Sequence, residues 1–382
     1  ARILARHGIP VIAIASDPDH HCCRTKVCER ILYADKTSEE FIETLEKLGP
    51  TLDQKAVLFP CEDTSVLLVS RNRHRLQQWF HVVLPEPDVV EMLMDKVRLY
   101  KYAQENGFPI PATHFVGSRE SAVRAASELT YPLAVKPPNS AVPGWEENSQ
   151  VKAYKVTSSD EFLALYDRIG SWAEQLIVQE WVEGTDANLF SCNCYLNDRS
   201  EPVATFVARK LRQWPPIAGD SCLGVECRDN VVLHESVRLL QSAAHRGLGY
   251  VEIKQDIRTG DYFILEPNIG RPTGRSAIAE AGGVELLYTM YCDAVGLPLP
   301  EGLEQSYGDA KWISLRKDLQ SAIYHWREGD LTLKQWWRSV RGKKAYALFS
   351  WSDPGPFLGD LGRTFRLLLN AEERRKRDYR NI

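Results

Sequence analysis

The chain has 382 residues, 44% of them hydrophobic and 26% charged, with a formal net charge of −4. That length supports two or three domains with large cores, and the composition excludes a disordered chain. The charge balance gives no general reason to expect nucleic acid, and no apolar run approaches the ~18–20 residues that span a bilayer.

The first residues read as the end of a helix that stops at Gly8, followed by a buried strand over 9–15. A helix followed by a strand is half of a doubly wound unit. The chain opens inside that helical pattern at Ala1, without a methionine, as expected of a fragment. The cluster His20-His21-Cys22-Cys23, with Cys28, lacks the paired spacing of a structural zinc site. Nine cysteines, an odd number without framework spacing, argue for reduced thiols and a cytoplasmic setting. A helix is expected over 37–48, capped by Thr37 or Ser38, and a second buried strand over 56–60. That strand runs into Cys61-Glu62-Asp63-Thr64. Asp63 either caps the helix over 64–76 or faces a ligand beyond the strand's carboxyl end.

Pro85 and Pro87 mark a boundary. The helical pattern over 88–107 carries Asp95-Lys96 and stops at Gly107-Phe108-Pro109. A strand over 113–116, a helix over 118–129 and a strand over 133–136 follow, the last closing on Lys136. Residues 137–150 lack periodicity and read as a loop. Next come a strand over 151–156, a helix over 159–169 and a strand over 176–182 that leads into Glu183-Gly184. Strands over 188–196 and 202–209 alternate well, and a second glycine-containing loop is expected over 217–224. A helix over 231–246 leads to a hairpin.

In that hairpin Glu252, Lys254 and Asp256 alternate on one arm, and Glu266 and Asn268 on the other. Residues i and i+2 share a strand face. A three-residue turn, Arg258-Thr259-Gly260, would pair Ile257 with Asp261 and so set Glu252 across from Glu266. Facing carboxylates repel, and a hard cation relieves them. Two readings stand: a solvated strand face, or a magnesium site with Glu252, Glu266 and Asn268 as oxygen ligands.

A helix is expected over 284–294. Residues 300–382 differ in texture, with five of the ten tryptophans and helices expected over 315–327 and 333–340. They read as a small appended domain packed on its aromatics, or as an aromatic surface with interleaved basic residues that contacts a membrane. The terminal run Arg374-Arg375-Lys376-Arg377, preceded by Glu372 and Glu373, reads as a solvated helix end.

Five stretches in order, MDKVRLYKYAQENGFPIPAT, YPLAVKP, VQEWVEG, VARKLRQWPP with GDSC, and VEIKQD with LEPNIGR, resemble the ATP-grasp superfamily. The resemblance covers roughly residues 9–297 and is closest to the carboxylate–amine ligases of the D-aspartate ligase-like and carbamoyl-phosphate-synthase-like kind. It implies an α/β (α+β) ATP-grasp fold in four parts. These are an incomplete doubly wound pre-ATP-grasp domain over 1–86, a small subdomain over 87–183, a large subdomain with the metal site over 184–299, and a Trp-rich C-terminal domain over 300–382. By that resemblance Lys96 and Lys136 contact ATP phosphates. Glu180 accepts from the adenine amino group, Trp181 and Val182 read the ring edge with their backbone, and Glu183 binds the ribose. Glu252, Glu266 and Asn268 hold magnesium, and Arg209, Lys210 and Arg271 stabilise the transferred phosphoryl group. The family's Glu-x-Asn-Pro-Arg reads Glu266-Pro267-Asn268-Ile269-Gly270-Arg271 here, with the arginine displaced by one position.

The implied reaction is an ADP-forming ligation of a small carboxylate to an amine through an acylphosphate, on an envelope or polysaccharide precursor. A bicarbonate-activating carboxylase and a non-catalytic ATP-binding scaffold are the alternatives. No carrier-lysine motif such as Ala-Met-Lys-Met supports the carboxylase, and the retained lysines and metal carboxylates oppose the scaffold. A homo-oligomer is compatible with the sequence.

Overall fold

The computed structural model describes residues 1–138, 142–149, 151–216 and 219–369. The terminal basic run with Glu372 and Glu373, residues 139–141 and 150 of the first loop, and Ile217 and Ala218 of the second lie outside these. Fifteen strands, among the described residues, fall into four sheets. Two small parallel pairs form the N-terminal part: β1 (Ile12–Ala15) with β2 (Arg30–Tyr33), and β3 (Ala56–Val57) with β4 (Phe80–His81). Helix Glu39–Leu48 turns Phe41, Ile42, Leu45 and Leu48 inward at helical spacing. The next helix, Asp63–Arg71, has Glu62 and not Asp63 at its N-cap, where the Ser65 hydroxyl accepts from the Glu62 N–H at 3.2 Å. Asp63 is thereby released for another partner. At the turn His21–Arg24, possible ligand atoms of His20, His21 and Cys22 lie within 4.8 Å of one another. Burial holds the Cys22 thiol above its ordinary pKa, which opposes the thiolate that a metal site uses.

The third sheet along the chain is antiparallel, in the order β5-β8-β6-β7: β5 (Thr113–Val116), β6 (Leu133–Lys136), β7 (Tyr154–Val156) and β8 (Leu176–Glu180). Leu133, Val135, Leu176 and Val178 point to one face, against helices Arg119–Glu128 and Ser159–Ile169. Ala134, Lys136, Ile177 and Gln179 share the other face. The first loop contains a short helix, Pro143–Asn148, because Trp145 is buried against Trp172 and Tyr154.

The large sheet has seven strands, in the order β13-β12-β9-β10-β11-β14-β15. They are β9 (Leu189–Leu196), β10 (Pro202–Trp214), β11 (Asp220–Glu226), β12 (Gly247–Gln255), β13 (Tyr262–Ile269), β14 (Lys311–Ile313) and β15 (Lys344–Tyr346). Two expectations change here. β10 runs five residues beyond 209, and most of the second loop is β11, because the two strands stay paired through bulges at 210–213. The Trp-rich segment also adds β14 and β15 to the large sheet instead of folding apart from it. One face of this sheet buries Cys192, Cys194, Val207, Val251 and Ile253 beneath helix Asn230–Ser242. The other carries Tyr195, Phe206, Ala208 and Leu248 under helices Ala277–Ala281 and Leu286–Val295. That second face also bears Glu252, Glu266 and Asn268.

Candidate active site

The hairpin places Glu252 directly across from Glu266, and Tyr250 across from Asn268. It does so by two departures that cancel. The turn is one residue longer than expected, since Asp256 and not Ile257 pairs with Asp261, with Gly260 left-handed at φ 81°. A bulge then leaves Leu265 unpaired and restores the register at Glu252. The Leu265 carbonyl accepts a 2.7 Å hydrogen bond from the Tyr100 hydroxyl.

Each hairpin acceptor is held by cations from elsewhere in the chain. Glu266 lies 3.5 Å from Lys96 Nζ. Lys96 is the first residue of helix Lys96–Glu105, whose N-cap Asp95 accepts from the Arg98 N–H at 2.9 Å, so the lysine stands at the positive end of that helix. Lys136, at the end of β6, donates to the Tyr100 hydroxyl at 2.9 Å. Tyr100 therefore joins the small sheet to the hairpin, a role whose only signal in the sequence is its place one turn after Lys96. Burial pushes the Lys136 ammonium down to about 8, with Glu266 pulling against it. Burial raises the Glu266 carboxyl, but Lys96 and Lys136 outweigh it and hold the group below its ordinary value.

Glu252 accepts from Arg275 at 3.3 Å and lies 3.7 Å from Lys210, which is almost fully buried. Burial holds Glu252 above its ordinary pKa, Lys210 opposes this, and Glu266 adds to it. Lys210 donates to Gln213 at 3.1 Å, and Gln213 donates in turn to Asp186 at 2.8 Å. Arg271 bridges Asp63 and Asn268, donating to the amide oxygen of Asn268 at 2.6 Å. The displaced arginine thus spans from the hairpin to the N-terminal part, where Asp63 is its partner.

Two expected site residues lie elsewhere. Arg209 is exposed on the face of β10 opposite Lys210, since consecutive strand residues alternate. Glu180 pairs with Leu133 and so shares its face, away from Lys136, and its carboxylate accepts from the Thr130 N–H at 2.7 Å. The rest of the hinge does reach the cleft. Lys155 and Lys254, one from each sheet, lie 4.6 and 5.3 Å from the ring centre of Trp181. The Trp181 N–H is taken by the Pro132 carbonyl at 2.9 Å, and Val182 is buried. Glu183 contacts Lys155 at 3.2 Å, and its backbone is tied to Asp256 and Ile257 at the hairpin turn. The Arg258 guanidinium holds Asp256 down to about 2, so that tie persists across the neutral range.

Chemically, the cleft presents two carboxylates and one amide oxygen on one sheet face, a donor set suited to a hard divalent cation. Lys96, Lys136, Lys210 and Arg275 exceed those carboxylates in charge, so the arrangement favours a polyanion beside the cation.

No family model matches the sequence. The D-aspartate ligase of Enterococcus faecium is 26% identical over 250 residues, covering 62% of this chain and 59% of that one. A D-alanine–D-alanine ligase of Pseudomonas entomophila is 24% identical over 184 residues, covering 46% and 54%. The chain thus spans less than two thirds of the length of the curated relatives it matches. Among solved structures, N5-carboxyaminoimidazole synthetase from Staphylococcus aureus superposes with a TM-score of 0.63 at 14% identity, covering 86% of this chain and 82% of that one. The biotin carboxylase domain of Hydrogenobacter thermophilus 2-oxoglutarate carboxylase gives 0.60 at 14% identity, covering 79% and 67%.

Proposed function

We propose that this chain, which has the ATP-grasp fold and is related to the carboxylate–amine ligases, couples a carboxylate to an amine at the expense of ATP and magnesium. The observation that carries the reading is the facing pair Glu252 and Glu266, each held by a different set of cations drawn from other elements. The facing carboxylates repel each other, the cations beside them offset this, and a metal ion with a polyphosphate would take over both roles.

In this reading Lys96, Lys136, Lys210 and Arg275 turn from the hairpin to phosphate oxygens. Glu252, Glu266 and Asn268 are then free to hold magnesium, whose chemistry when bound is to neutralise charge on the β- and γ-phosphates. Trp181, Val182 and the backbone of Glu180 line the adenine, and Glu183 takes the ribose. Arg209 and the Glu180 carboxylate have no part in it. A carboxylate oxygen of the acceptor attacks the γ-phosphorus, and ADP leaves. The amine then attacks the acyl carbon, expelling phosphate and forming an amide. The protein contributes position and charge, and no nucleophile of its own. Asp63 and Arg271 stand where the acceptor approaches. The amino-acid ligases among the relatives support an amino acid as one substrate, and the free thiols fit a cytoplasmic setting.

The test is a screen of carboxylates against D- and L-amino acids for ADP release. Glu266→Gln and Lys136→Ala should each abolish amine-dependent release while leaving the far-ultraviolet circular dichroism unchanged. Full activity in either variant would sink the assignment. Release that needs bicarbonate and no amine would move the protein to the carboxylase reading, and binding without release to the scaffold.

A further inference from the structure

The helices Leu315–Arg327 and Leu333–Val340 pack on the large sheet through their polar side. Asp318 forms a buried ion pair with Arg212 of β10 at 2.8 Å and accepts from the Trp336 indole at 3.0 Å. Ser339 accepts from Arg212 at 2.9 Å. The apolar side of the same helices faces outward. Leu315, Leu319, Ile323 and Trp326 recur at helical spacing on one face and are 41, 52, 41 and 58% exposed. The second helix continues the patch with Leu333 and Trp337, 71 and 58% exposed. Contiguous apolar surface of this kind, unlike a lone exposed leucine, marks an interaction site. The groove between the helices, lined by Leu319, Ile323 and Trp336, encloses only about 80 Å³. Ligand pockets run to roughly 300–1,000 Å³, so a small molecule is not the partner.

The charge around the patch identifies the partner. From Lys311 to Tyr346 the chain has nine lysines and arginines against three acidic residues, in a protein whose formal net charge is −4. Arg327, Lys334 and Arg338 are exposed beside the patch and form no ion pair among the described residues. A second copy of the chain would bring this basic rim against itself, because a two-fold interface repeats the same surface on both sides. An aromatic and aliphatic face with a basic rim is instead the pattern of a helix lying in the headgroup region of an anionic bilayer. We propose that the two helices dock this protein peripherally on an anionic lipid surface. The first of these helices also reaches β10 and β11, on the side away from the docking face. Lys317 pairs with Asp220 at 2.7 Å, Tyr324 packs on Trp214, and Arg212 lies two residues beyond Lys210. The proposal does not depend on the ligase reading.

The experiment is co-sedimentation of the full chain with phosphatidylglycerol–phosphatidylcholine vesicles and with phosphatidylcholine vesicles alone. Binding is expected to the anionic vesicles only, falling as salt is raised. Leu319→Ser with Trp337→Ser should weaken it by about tenfold or more, the scale of two lost apolar insertions, at an unchanged melting temperature. Lys334→Glu with Arg338→Glu should weaken it similarly while keeping the apolar face intact. The proposal is overturned by equal binding to both vesicle types, or by no binding to either. It also fails if both double variants bind like the parent, or if sedimentation equilibrium shows a dimer that the Leu319/Trp337 change dissociates.

Discussion

Lys136 ends a strand whose side chains alternate between the core of the small sheet and the cleft, and it is the group there whose charge is most finely set. Burial lowers its pKa from 10.5 to about 8. In the ligand-free protein the ammonium is therefore present below pH 8 and lost above it, while the unfolded chain keeps its proton to about 10.5. Between those values the unfolded state binds more protons, so this residue makes stability rise with pH. Ligand binding has the opposite sign, since a polyphosphate requires the charged form. At pH 9 binding of a non-hydrolysable ATP analogue should take up close to one proton, and affinity should fall by about tenfold per pH unit above 8. Calorimetry in buffers of different ionisation enthalpy measures the uptake directly. Lys136→Arg, which stays charged, should flatten the slope. An analogue bound at pH 9 without proton uptake would remove Lys136 from the phosphate site.

At the scale of elements, the pair Asp318–Arg212 sets how the Trp-rich segment joins the large sheet. Both side chains are buried, and removing one leaves the other uncompensated. Asp318→Ala should cost about 3–5 kcal/mol in a denaturant titration, whereas Lys317→Ala, which breaks a partly exposed pair with Asp220, should cost under about 1 kcal/mol. Equal costs would mean that the helix is held by its apolar contacts alone. Nothing in the sequence marked this junction. β14 and β15 have three residues each, too few for alternation to register, and a buried aspartate looks like any helix aspartate until its partner is known. The hairpin was legible for the opposite reason, because polar residues repeat with period two on both arms. Even there the Glu252–Glu266 pairing rested on a turn read one residue too short and an unseen bulge, which offset one another. The resemblance groups Arg209 with Lys210 and puts the Glu180 carboxylate at the adenine, but alternation along a strand turns Arg209 to the face opposite Lys210 and the Glu180 side chain away from Lys136. Lys136 closes a strand ahead of Pro137-Pro138, a strong stop signal, whereas the single helix expected over 88–107 breaks at Asp95, and Lys96 starts the second of two helices.

Across the whole molecule, the candidate site is assembled from parts far apart in the chain. Lys136 and Trp181 belong to the small sheet and its hinge, and Glu252, Glu266 and Lys210 to the large one. Tyr100, Lys254 over the Trp181 ring, and the hydrogen bonds between Glu183 and the hairpin turn are among the links between them. A ligand that spans both sheets adds stability only to the native arrangement, by about 2.7 kcal/mol at a concentration one hundred times its dissociation constant. The metal and the nucleotide contribute separately to that figure. In the proposed function ATP alone would engage the lysines on both sides, and magnesium would add the hairpin oxygens to the bridge. Melting temperature should therefore rise in two steps, with ATP and again when magnesium is added to it, and magnesium alone should do little. Glu266→Gln should remove the second step and keep the first, because its amide neither draws Lys96 as strongly nor holds a hard cation as a carboxylate does. Lys136→Ala should reduce the first step. A variant at Glu266 that kept the full magnesium-dependent rise would show that the cation sits elsewhere, and the facing carboxylates would then need another explanation.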